Sequence, residues 1–126
     1  MDHKQARQLL EKYLQSWRKQ DIDSFKDLLG DQIIIKECNG PIYNGLNANL
    51  KWFSEWNKIG KVLRWEITDF SYDSNENKIC FEWEFSCVYD GNEGGFSGCS
   101  FMVLNDKKFI SIHEYKTESN HYYPYN

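Results

Sequence analysis

KWFSEWNKIGKVLRWEI, residues 51–67, opens as a helix and closes as a strand. Before Gly60, Trp52, Phe53, Trp56 and Ile59 recur at the three- and four-residue spacing of one helix face. After it, Leu63, Trp65 and Ile67 alternate with Arg64, Glu66 and Thr68, as in a strand buried on one side. Gly60 suits the break between them. Three indoles in so short a run bury much apolar area while keeping one polar N–H each, which suits either a core or the wall of a ligand cavity. The residues leave both uses open.

Upstream of this switch the chain reads mainly as helix. Ala6, Leu9, Leu10, Tyr13, Leu14 and Trp17 form one stripe on a helix from Asp2 to Lys19. Asp21 offers an N-cap for a second, short helix with Ile22, Phe25, Leu28 and Leu29 on its apolar face, and Gly30 suits its stop. DQIIIKEC, β-branched and followed by NGP, predicts a strand over 31–38; PIY is a brief extended piece, and Asn44 caps a third helix from about Gly45 to Ile59. Downstream, KVLRWEITDFSYD, KICFEWEFSCVYD, FSGCSFMVL and FISIHEYK are strands separated by SNEN, DGNEGG and NDKK. Segregated helices and antiparallel strands imply an α+β domain, with three N-terminal helices on the concave face of one strongly curved, mainly antiparallel sheet of about six strands.

The 126 residues fit one domain, 1–126, which buries roughly two-thirds of the surface of the unfolded chain. Hydrophobic content of 40% with 17% aromatic residues puts burial on a modest number of large side chains. A net charge of -4 with no basic cluster longer than a pair argues against a nucleic-acid partner. No signal peptide or membrane-length apolar window is visible, so the expected location is cytoplasmic, with no membrane partner. Cys38, Cys80, Cys87 and Cys99 lack CxxC spacing and a suitably placed His, so they read as small hydrophobes, and no metal is expected. Without GxGxxG or a P-loop, no cofactor is expected either.

The segments KYLQSWRKQDIDSFKDLLGDQIIIKE and GPIYNG, followed by the four-strand meander, resemble the nuclear transport factor 2-like superfamily, and within it the SnoaL-like polyketide cyclases and ketosteroid isomerases. The resemblance implies a cystatin-like cone with a deep, mostly apolar pocket, assembled as a homodimer through the outer sheet face. It also implies isomerase, cyclase, dehydratase, epoxide hydrolase or plain binding functions. Laid on the ketosteroid isomerase pattern, Tyr13 matches the tyrosine of the first helix and Glu37 the general-base carboxylate. The position of the protonated Asp falls near Ser100, which cannot supply the same short, strong donor.

The residues themselves nominate the same region. With Ile33 and Ile35 inward, Glu37 ends an apolar row where desolvation would raise its pKa; alternatively the strand has ended and Glu37 is solvated. Tyr13 lies on the apolar stripe, as a core residue or with its hydroxyl toward a pocket. If Ile110 and Ile112 face inward, Glu114 shares their face, as an acid–base partner of Glu37 or in a salt bridge. Trp65, Trp83, Phe85 and Cys87 from the sheet, with Trp17, Phe53 and Trp56 from the helices and Ser100, are the expected pocket wall. The aromatic tail 117–126 would cover an edge or dock across the mouth.

The expected function is binding of a small apolar or aromatic molecule, with cofactor-free acid–base chemistry of isomerase, cyclase or hydrolase type. The competing reading is a non-enzymatic module with a filled cone, in which Cys80, Val88, Phe101 and Val103 on the outer face meet a second copy.

Overall fold

The computed structural model describes residues 1–126. Helix α1 (His3–Arg18) starts in a capping box: the Gln5 N–H donates to Asp2 Oδ1 at 2.8 Å and the Asp2 N–H to Gln5 Oε1 at 3.0 Å. Its stripe buries Ala6, Leu10, Tyr13, Leu14 and Trp17. Helix α2 (Ile22–Asp27) is capped by Asp21, as its sequence predicts. Gly30, expected to stop that helix, lies instead inside β1 (Leu29–Lys36), where an added Cβ would sit 3.2 Å from Ile110 Cγ2. Strand β1 therefore begins before residue 31 and ends before Glu37. After β2 (Ile42–Asn44), α3 (Leu46–Ile59) is N-capped by Gly45, at φ 94°, rather than by Asn44. Buried Asn49 reaches back from α3, donating to Gly45 O at 2.8 Å and Tyr43 O at 3.0 Å.

Four long strands follow: β3 (Gly60–Asp73), β4 (Lys78–Tyr89), β5 (Asn92–Asn105) and β6 (Lys108–Lys116). Asp90–Gly91 and Asp106–Lys107 all have positive φ, the pattern of two-residue hairpin turns that match strand twist. Strand β5 consequently starts at Asn92 rather than Phe96. The sheet order is β2-β1-β6-β5-β4-β3, with β1 and β6 parallel and every other pair antiparallel. This is the α+β cone expected, an open sheet wrapped over three helices.

Two strands change phase where the periodic pattern did not. In β3 the register skips Leu63 and again Thr68, so Val62 turns inward and Leu63 is left 47% exposed. In β6 the skip at Ile110 puts Phe109 and Ile112 inward and Ile110 outward. Glu114 still shares the inner face with Ile112, although Ile110 does not. The core beneath the helices is solid: Phe25 stacks on Phe53 with centroids 4.4 Å apart, and Tyr13 meets Phe109 edge-on at 5.6 Å. Tyr122, Tyr123 and Tyr125 of the tail are 78%, 82% and 96% exposed, so the tail covers neither an edge nor the mouth. No helix is long and apolar enough to cross a membrane.

Candidate functional site

The site grows from the parallel pairing of β1 with β6. Ile35 faces Ile112 and Lys36 faces His113, so the next residue of each strand direction, Glu37 and Glu114, lie side by side. Strand β1 has ended at this point, and the turn is tied by the Glu37 N–H donating to Pro41 O at 2.9 Å and the Gly40 N–H to Glu37 O at 3.0 Å. Even so, the Glu37 side chain stays half-buried beyond the Ile33–Ile35 row. One carboxylate oxygen of Glu37, one of Glu114 and the Cys38 sulfur all lie within 4.8 Å of one another. They are the residues of the chain spaced to share a proton or to hold a metal ion, a mixture of two hard oxygen donors and one soft thiol.

Their environments differ. Glu37 Oε1 accepts the Asn39 side-chain amide at 2.6 Å and the Cys38 thiol at 3.6 Å. Glu114 is buried, with 9% of its surface exposed. Burial first, and the negative charge of Glu37 second, push its carboxyl up to about 8, against the opposing pull of the Cys38 backbone amide. Burial and then the two carboxylates likewise push the Cys38 thiol far up. Tyr13 is held well above its ordinary value by burial and then by Glu114; the Trp17 indole opposes this, yet the hydroxyl has no partner at hydrogen-bond geometry. Glu114 therefore carries its proton at neutral pH.

Beside the carboxyls opens a cavity of about 660 Å³. All five tryptophans of the chain line it: Trp17 from α1, Trp52 and Trp56 from α3, Trp65 from β3 and Trp83 from β4. Trp56 pairs with Trp17 and Tyr89, whereas Trp65 pairs edge-on with Trp83 and Phe85. Trp56 and Trp65 thus pair with different rings.

Family comparison places the same chain length on this architecture, with the SnoaL-like domain matching residues 10–112. The chain belongs to the SnoaL-like family. No curated protein sequence matches it significantly. Among solved structures, this SnoaL-like chain is similar to an LEH-like epoxide hydrolase of M. tuberculosis, with TM-score 0.81 and 14% identity over 90% of this chain and 84% of that one. It is also similar to a proposed polyketide cyclase of Xanthomonas campestris, with TM-score 0.74 and 16% identity over 90% and 91% of the two chains. A third likeness is to a protein of ketosteroid isomerase-like fold from Catenulispora acidiphila, in complex with trimethylamine, with TM-score 0.77 and 11% identity over 88% and 86%. At these identities the likeness concerns the fold.

Within this SnoaL-like cone the residues nominated from sequence divide by depth. Glu37, Glu114, Trp17, Trp56, Trp65, Trp83, Phe85 and Cys87 all border the cavity. Tyr13, Phe53 and Ser100 do not: each is at most 1% exposed and lies in the layer beneath. Ser100 pairs across the sheet with Glu114, and its hydroxyl accepts the Trp83 indole N–H at 2.9 Å. The buried carboxyl of this part of the sheet is therefore on the strand next to Ser100, at Glu114. Sequence reasoning missed Tyr43, which stacks on Trp52 at 4.4 Å and 11°, and Phe96, which faces Phe85 across the β4–β5 hairpin. The second would have been legible from Asp90–Gly91 as a two-residue turn, since that turn sets the register. Lys116 flanks the site, donating to Asn39 Oδ1 at 2.5 Å with its Nζ 5.1 Å from the Phe96 ring centre.

Proposed function

We propose that this SnoaL-like domain binds a small molecule with an apolar body in its conical cavity and moves a proton on it without a cofactor. The observation that carries this reading is the carboxyl pair at the aromatic cavity, Glu37 half-buried and Glu114 buried with its acid pushed up to about 8. Two carboxyls so close do not ionise together, so one serves as base and the other as acid. Glu37 is the base. Glu114 donates a hydrogen bond or a proton to the oxygen on which charge develops, in a site whose rings exclude water and strengthen that bond. Tyr13 lies in the layer beneath the cavity with its hydroxyl unpartnered, and takes no part in this step. Reactions of this kind are enolisation, aldol-type ring closure and epoxide opening, the isomerase, cyclase and hydrolase types.

A thermal-shift screen of steroids, aromatic polyketides and terpenoid epoxides tests the pocket, because a ligand bound only by the folded state raises the melting midpoint. With a stabiliser in hand, Glu37→Gln should abolish turnover while binding persists. Absence of any stabiliser would remove the reading, and turnover that survives Glu37→Gln would remove its acid–base part. Homodimerisation through the outer sheet belongs to the same reading, supported by Phe101, 38% exposed on that face. Sedimentation of Phe101→Glu as a monomer beside a dimeric parent is the expected result.

A further inference from the structure

We propose that the ligand of this cavity carries a positively charged nitrogen, an ammonium or alkylated amine on an apolar body, seated against indole faces and beside Glu37 and Glu114. The inference rests on the reading that the cavity takes a ligand, and it adds the ligand's charge.

Two independent features of the wall carry it. The first is ring content. Nine of the 17 lining residues are aromatic, five of them tryptophan, the ring whose face attracts a cation most strongly. In edge-on contacts such as Trp65 with Trp83, at 83°, and Trp17 with Trp56, at 86°, only one of the two rings has a face occupied by the other. The second is charge. Glu37, Glu55 and Glu114 line the cavity, with no Lys, Arg or His among the lining residues. An anionic ligand would meet three carboxyls inside the cavity, with Lys116 at the rim the nearby cation. A neutral apolar ligand would take water from the Glu37 carboxylate without offering it a partner. A cation supplies that partner.

Lys116 marks how the rim already treats such a charge. Its ammonium lies over the Phe96 ring and is held by Asn39, just outside the lining. It competes with a bound cation, so its removal should tighten binding.

Protons follow the charge. Glu114 is faced by Tyr13 from α1, by Glu37 and Cys38 from the turn after β1, and on its own strand by the more distant Lys116; Ser100 opposite on β5 does not titrate. Tyr13 and Cys38 are pushed upward out of the neutral range, so the proton that a cation displaces near neutrality comes from Glu114. Binding should release a fraction of it to buffer, Glu114 keeping its proton as the acid in the remainder, and should tighten as pH rises toward about 8.

Calorimetric titration with benzyltrimethylammonium, beside neopentylbenzene in which carbon replaces the charged nitrogen, tests the proposal on the whole chain. The cation should bind about tenfold more tightly or better, a margin of the size a desolvated cation–π contact supplies. Glu114→Gln should remove the proton release and reduce the preference, and Lys116→Met should strengthen the cation alone. A structural effect of either substitution would move both probes together. Equal or tighter binding of neopentylbenzene overturns the cationic ligand and leaves the cavity as a neutral binding site. Binding of neither probe, together with a failed screen, overturns both readings.

Discussion

The closed half of the cone and its open half are built from the same strands and the same helix faces, and differ in what fills the space between their rings. In the closed half Phe25 lies nearly parallel on Phe53, at 25°, and Ile33, Ile35, Ile79, Met102 and Ile112 are fully buried around Phe81 and Phe109. In the open half Trp65 meets Phe85 at 81° and Trp17 meets Trp56 at 86°, with few aliphatic side chains between them. Branched aliphatic chains adapt to the gaps between rings and bring packing to the density of a solid. Rigid rings with little aliphatic filling between them do not, and a cavity remains. The same row of β4 passes from Ile79 and Phe81 in the first regime to Trp83 and Phe85 in the second.

That contrast can be broken from either side. The largest effect is expected for Phe25→Ala in the closed half, a loss of about 4 kcal/mol of unfolding free energy by urea denaturation, from lost burial plus an unfilled hole. Next is Glu114→Gln in the open half. The folded-state acid, at about 8, lies above its ordinary 4.5, so the folded protein keeps a proton that the unfolded chain releases in this window. The parent should therefore lose stability as pH rises, about 3 kcal/mol between about pH 5 and about pH 7 at roughly 1.4 kcal/mol per unit. Glu114→Gln should flatten that slope; an unchanged slope would show that Glu114 is not its source.

Gly98→Ala probes the seam between the halves. Its Cβ would fall 2.2 Å from Tyr115 O and 2.5 Å from Trp83 Cη2, so backbone or ring must move, at about 2 kcal/mol. Trp56→Ala, at the half-buried cavity wall, should cost about 1 kcal/mol in stability while weakening any ligand found by the screen. Smallest of all, removal of residues 118–126 should change the melting midpoint by less than the equivalent of about 0.5 kcal/mol, since these residues are exposed.

How far the sequence reading reached follows the same division. The stripe of α1 and the inward row of β4 were legible because each keeps one period from end to end. Leu63 and Ile110 were misplaced because a bulge is set by the partner strand, which local alternation cannot register. Alternation also says which face a side chain takes but not how deep along the row it sits. Phe53 and Ser100 therefore fell among the expected wall residues, although they lie beneath it. Glu37 and Glu114 were each readable as the end of an apolar row. Their adjacency was not, because it depends on a parallel pairing that no hairpin turn announces.

That pairing also orders events in time. Glu37 and Glu114 are 77 residues apart (114 − 37), and β6 is the last strand to be synthesised. On the ribosome the helices and the β3–β4 hairpin can form from local contacts, but β1 has no inner neighbour until β6 emerges. The nascent chain thus holds its tryptophans before it holds its acid–base pair, and the two carboxyls first meet when the sheet is completed.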